Sequence, residues 1–153
     1  MASVPKFAAH RSLGRLARWL RRLGFDTVCR SDLDAHALAR LAVAEERIVL
    51  TRSSTPKRNE PAAERLVLRA ADFRSQLREI DAVHALGGWE DRQPRCLSCN
   101  GALRPSSAAD SSSAPERLRW RCIRCRRESP AGRGGGRMGA ELRALSLREP
   151  DRL

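Results

Sequence analysis

The chain contains no tyrosine, and only three tryptophans and three phenylalanines in 153 residues. So few aromatic rings exclude an RNA-recognition sheet built from stacked aromatics. No apolar run approaches the roughly 18 residues that a membrane span needs, so no membrane partner is expected. The first residues lack the apolar core of a secretory signal, and the cytoplasm is the expected compartment. Lysine is scarce as well: Lys6 and Lys57 are the only two among 30 basic residues. Disorder throughout is also excluded. Hydrophobic residues make up 41%, and the 10 glycines bring apolar usage to about 48%, ordinary for a globular protein.

What is abundant is arginine. Arginine supplies 28 of the 30 basic residues, which against 18 acidic ones leave a formal net charge of +12. Such an excess points to an anionic partner, nucleic acid first. GC-rich coding, which enriches arginine and alanine together, gives the same composition without selection for binding. The charge is uneven along the chain. Residues 1–90 hold 16 basic and 11 acidic residues, and residues 91–153 hold 14 and 7. Four of the five cysteines also lie in the second part. Gly87-Gly88 and Pro94 mark a boundary between the two.

The first part, residues 1–90, alternates between strand and helix patterns. Apolar runs at Val4–Ala9, Phe25–Cys29, Ile48–Leu50 and Leu66–Leu68 read as strands. Leu13, Leu16, Ala17, Leu20 and Leu23 follow helical spacing, and Gly24 stops that helix. Ser31 or Asp32 can cap a second helix with the apolar face Leu33, Ala37, Leu38, Leu41 and Ala42. A third carries Phe73, Leu77, Ile80 and Val83. Residues 53–63 read as a loop. This alternation predicts an α/β fold, a parallel sheet flanked by helices. Functional residues of such sheets gather at the carboxyl ends of the strands. Those ends fall near His10, Arg30, Arg52-Ser53 and Arg69.

The second part, residues 91–140, carries Cys96-Leu97-Ser98-Cys99 and, after twenty-two residues, Cys122-Ile123-Arg124-Cys125. Two such pairs supply four thiolates from two tight turns, the set that Zn²⁺ takes in a closed structural site. Asn100-Gly101 suits the first turn, because both residues tolerate positive φ. The spacing predicts a zinc ribbon, with a strand at Arg117–Arg121 leading into the second pair. Two disulfides and an iron–sulfur cluster are the other readings of the four cysteines. Four thiolates and one Zn²⁺ add −2 and would take the charge from +12 to +10. Cys29 has no pair partner and reads as a small buried hydrophobe. Ser106–Ser113 reads as a low-complexity loop and residues 131–136 as a Gly-rich stretch. The tail, residues 141–153, has a helical pattern through Leu142 and Leu145.

Arg11, Arg15, Arg18 and Arg22 form a stripe on the first helix, opposite its leucines. Trp19 is placed to stack under one of these guanidinium groups. Arg15, Arg18, Arg22 and the strand-end Arg52 are candidates for phosphate contacts with RNA. A solvated helix face is the other reading of the stripe.

Two segments resemble a known family. Lys6-Phe7-Ala8-Ala9-His10-Arg11-Ser12-Leu13-Gly14-Arg15-Leu16-Ala17-Arg18-Trp19-Leu20-Arg21, followed by Leu23-Gly24-Phe25-Asp26-Thr27, resembles the opening of the Mut-seven C-terminal RNase domain. So does Arg47-Ile48-Val49-Leu50-Thr51-Arg52. Arg95-Cys96 and Cys99-Asn100-Gly101 are similar to the family's ribbon opening. The resemblance covers roughly residues 4–103 and 118–138. It implies a PIN-like α/β domain with a C-terminal zinc ribbon, and endonucleolytic cleavage of RNA with Mg²⁺ or Mn²⁺.

The departures concern the acidic site. The family has Asp where this chain has His10, and Asp after the Leu-Thr-Arg motif where it has Ser53. Asp34 matches a remaining acidic position and is the candidate metal ligand. Asp26 matches a further family Asp, and a structural turn residue is its other reading. After the last cysteine, Ser129 and Pro130 stand in place of a Tyr-Trp pair, and Gly134 in place of a His. Gly132 and Arg137-Met138 keep the pattern. Hard divalent cations need several oxygen ligands in one cleft, so losing two acids weakens metal-dependent cleavage. The resemblance therefore leaves two expectations: a metal-dependent endoribonuclease with a depleted site, or an inactive module of the same fold that binds RNA or a protein partner.

Overall fold

The computed structural model describes residues 4–106, 119–130 and 136–148. β1 (Phe7–Ala9) and β3 (Ile48–Thr51) are buried along their whole length. That is the mark of strands covered on both faces. β2 (Thr27–Val28) and β4 (Arg65–Val67) flank them in a parallel sheet of order β2-β1-β3-β4. Phe7 stands opposite Thr27 on one side and Ile48 on the other, and Leu50 stands opposite Leu66.

Alternation along the strands feeds two cores. Phe7, Ala9, Ile48 and Leu50 join the larger one, shared with α1 (Gly14–Arg22) and α3 (Phe73–His84). Ala8 and Val49 join a smaller one under α2 (Ala35–Glu45), with Leu38 and Ala42. The α/β architecture expected from the sequence is therefore present. The tail pattern is a helix too, α4 (Gly136–Ala144), which starts earlier than expected. Leu142 and Leu145 are buried in the larger core, so the end of the chain completes the first part's interior. The four-cysteine region forms an antiparallel sheet, β5 (Leu103–Ser106), β6 (Arg119–Cys122) and β7 (Glu128–Pro130), with β6 central.

Several local expectations change. The first helix begins with a 3₁₀ turn, Arg11–Leu13, capped by the His10 side chain. Neither Ser31 nor Asp32 caps α2. Asp34 does, accepting from Ala37 N at 2.7 Å, while Asp32 pairs with Arg30. Val83 leaves the apolar face of α3 and is 59% exposed. Two successive i+3 steps from Leu77 turn the helix face by about 120°, which carries Val83 past the buried sector. Cys29 is half-buried, with its thiol 3.8 Å from the His10 carbonyl. Most of the Ser/Ala-rich loop, residues 107–113, and most of the Gly-rich stretch, residues 131–135, lie outside the described residues.

Candidate functional site

The sulfurs of Cys96, Cys99, Cys122 and Cys125 lie within 4.8 Å of one another. Cys96 Sγ is 3.6 Å from Cys125 Sγ, and Cys99 Sγ is 3.4 Å from Cys122 Sγ, and all four cysteines are free. A tetrahedral ion with metal–sulfur bonds of about 2.3 Å places its sulfurs about 3.8 Å apart, so the cage is metal-sized. Backbone N–H groups of Arg124 and Cys125 donate to Cys122 Sγ at 3.4 and 3.5 Å. Burial opposes ionisation of Cys122. Those two N–H groups and the neighbouring thiols outweigh it and bring the Cys122 pKa down to about 6. Asn100 and Arg126, each just after a second cysteine, take left-handed φ of 65° and 62°. Gly101 is needed for a different reason than expected. A Cβ there would come within 2.8 Å of Cys122 Sγ and 3.2 Å of Cys99 Sγ.

The same turns hold the ribbon against the parallel sheet. β2 is an edge strand, and Thr27 faces outward from it. Its N–H donates to Asn100 Oδ1 at 3.0 Å, and its carbonyl accepts from Arg21 Nε at 2.8 Å. Arg21 also donates through Nη1 to the Leu97 carbonyl, inside the first cysteine turn, at 2.7 Å. Arg21 is 5% exposed. Burial works against its charge, and the sulfurs of Cys29, Cys96 and Cys99 favour it. Asp26 completes the junction. It takes Arg47 Nη1 at 2.7 Å and Asn100 Nδ2 at 2.6 Å, with Arg95 at 3.7 Å. Burial raises its pKa, but hydrogen bonds from Arg47 and Asn100 prevail and hold it below the usual carboxylate range. Asp26 thus faces the ribbon, as a structural residue.

At the carboxyl ends of β1 and β3 lies a cleft of about 410 Å³. His10 and Ser53 both line it, as the strand-end reading expects, and Arg52 lines it with them. His10 Nδ1 accepts from Ser12 N at 3.3 Å and lies 2.9 Å from Ser12 Oγ. A backbone N–H can only donate, so the neutral ring carries its proton on Nε2. Ser53 donates from Oγ to the Thr55 carbonyl at 3.1 Å and shapes the loop. Asp34 does not line this cleft: its neighbour Ala35 does, while the Asp34 carboxylate caps α2. The cleft's own carboxylate is Glu60, paired with Arg65 and accepting from Lys57 N at 2.7 Å. Among the described residues, the four cysteines are the one His, Cys, Asp or Glu group spaced to hold a metal ion.

The arginine stripe meets aromatic rings. Trp19 and Phe73 stack at 4.8 Å, joining α1 to α3. Arg15 sits 4.6 Å from the Phe73 centroid and Arg22 5.4 Å from that of Trp19. Arg18 stays on the exposed face. Lys57, Glu60 and Arg65 were not readable as cleft residues. They come from a loop and a strand start that no periodicity marks. The only sequence signal was the proximity of that loop to the end of β3.

The geometry defines a class: a parallel α/β domain, covered on both faces, whose edge is closed by a metal-binding ribbon. The Mut7-C RNAse domain model matches residues 5–135, from just before β1 through the ribbon, and the chain belongs to that family. No curated protein and no solved structure matches the chain. Family membership makes this an RNase-like domain. No helix among the described residues is long and apolar enough to cross a membrane.

Proposed function

We propose that this chain is an RNA-binding member of its family that does not cleave RNA with Mg²⁺ or Mn²⁺. The observation that supports this reading is the strand-end cleft. It holds His10 and Ser53 at the positions where the resemblance expects acids, and its Glu60 is already neutralised by Arg65. Asp34, the remaining candidate ligand, is turned to the helix cap. One carboxylate engaged elsewhere and one already paired do not make a site for a hard cation. Arg18 and Arg52 offer charge to RNA phosphates. Arg15 and Arg22 contribute theirs from over aromatic rings.

The four cysteines take Zn²⁺ in this reading, with a structural role, because four thiolates fill the shell and leave no position for water. Residues 1–90 then supply the RNA-facing domain. Residues 91–140 supply the ribbon, and the tail from residue 141 completes the core. Metal analysis should find about one Zn per chain, and Cys96→Ser should lower both metal content and stability. A metal-free, fully folded chain would sink that assignment.

Cleavage of single-stranded RNA in Mn²⁺ tests the main reading. The wild type should bind RNA in a salt-sensitive way and leave it intact. The double variant His10→Asp, Ser53→Asp should gain cation-dependent cleavage. Cleavage by the wild type that disappears in Asp34→Ala would overturn the proposal in favour of an active nuclease.

A further inference from the structure

A cleft built for a divalent cation concentrates negative charge. This one does the reverse. Arg52 and Lys57 line it, and among the described residues neither side chain has a carboxylate partner. The Arg65–Glu60 pair cancels itself, leaving a formal charge of two positive groups in a space of about 410 Å³. A divalent cation is repelled by such a site, and a dianion is matched by it. His10 presents Nε2–H as a third donor, because Nδ1 is occupied by Ser12.

Charge then discriminates between kinds of phosphate. An internal phosphodiester carries one negative charge. A phosphate monoester carries about −1.5 to −2 at neutral pH, with three acceptor oxygens. Two unpaired cations and an N–H donor fit the monoester better. The other wall is apolar, formed by Ala35, Leu38 and Val49, and suits a ribose rather than a second phosphate. The His10 imidazole is the one ring among the lining residues, and no Phe or Trp joins it, so the platform for stacking a base is small. The volume is that of a single small-ligand site.

We propose that the strand-end cleft is a metal-free receptor for a phosphate monoester at the end of an RNA strand. This rests on the RNA-binding reading and names what the cleft selects. The cleft takes the terminal nucleotide with little preference for its base. The arginines on α1 hold the strand that follows.

The test uses the full zinc-loaded chain in buffer free of Mg²⁺ and Mn²⁺. Four forms of one short oligoribonucleotide are titrated by fluorescence anisotropy: 5′-phosphorylated, 3′-phosphorylated, hydroxyl-ended and circular. One phosphorylated form should bind about tenfold tighter than the hydroxyl-ended strand, the gain of an added charge-assisted contact. Which of the two wins identifies the end. The exposed double variant Arg52→Gln, Lys57→Gln should remove that advantage. Equal affinity for all four forms overturns the proposal while leaving RNA binding intact. So does a preference that appears only with added Mg²⁺ or Mn²⁺. If no RNA binds, the RNA-binding reading itself fails. Adenosine 5′- and 3′-monophosphate, compared with adenosine in a thermal shift assay, then decide the cleft alone. Stabilisation by a monophosphate, lost in the double variant, supports the receptor, and no shift overturns it.

Discussion

Gly101 shows how little room the metal cage leaves. Its Cα faces two sulfurs, and any side chain must push them apart. Gly101→Ala should therefore weaken metal binding by tenfold or more in a chelator competition, the scale of perturbations just outside a metal's ligand shell. Wild-type affinity in that variant would show that the cage is slack. Asp26 makes a different prediction, because its carboxyl ties β2 to Arg47 and to the ribbon. Asp26→Ala should cost roughly 2 kcal/mol in urea unfolding at neutral pH, the loss of charge-assisted bonds. Its folded pKa lies below the unfolded one. The stabilisation is therefore full above the unfolded value of about 4 and disappears as pH falls through the folded value. The gap between wild type and variant should close across that acidic range, and a gap constant with pH would refute the ionic account. The sequence could show Asp26 only as a turn residue or a family position. Its role depends on Arg47, Arg95 and Asn100, which are far from it in the chain and meet it only through folding.

Among the elements, β1 to β4 and α1 to α3 were legible because burial fixes where their apolar residues fall, whereas β5 and β7 carry no such pattern and were not read. The cysteine spacing was legible because metal coordination fixes it locally. Helix starts were less so. Asp34 rather than Asp32 caps α2, a choice set by the turn after β2 and not by residue type, since both are aspartates. The tail was the least legible element. Leu142 and Leu145 read as a helix but gave no sign that they enter the larger core. α4 is held further by the Arg74–Glu141 pair, and the stretch after it by Arg148 N donating to Asp81 at 2.9 Å. Leu142→Ala should accordingly lower stability by about 2–5 kcal/mol, the cost of a cavity in a packed core. A change under about 0.5 kcal/mol, typical of a surface site, would mean that α4 is only loosely attached.

For the whole molecule, the two parts share one boundary and not a linker. Thr27, Arg21, Asn100 and Asp26 make the ribbon a cover for the open edge of the parallel sheet. Removing the metal should therefore be felt in the α/β domain. Chelation should speed hydrogen exchange at the Thr27 amide while sparing Leu50, whose strand is paired on both sides. Unchanged exchange at Thr27 would show that the edge is sealed without the ion. The charge of the whole molecule follows the same geometry. Arg21 spends its positive charge inside the junction, against the cysteine sulfurs, so the arginines open to an anionic partner are fewer than the composition suggests. The order of synthesis gives this boundary a further meaning. β2 emerges from the ribosome long before Cys96, so the nascent chain carries a bare strand edge until the ribbon is made. Bare edges invite pairing between chains. A fragment ending at Gly88 should therefore self-associate more than the full chain. Metal supply during growth would then affect the yield of usable protein as well as its final stability.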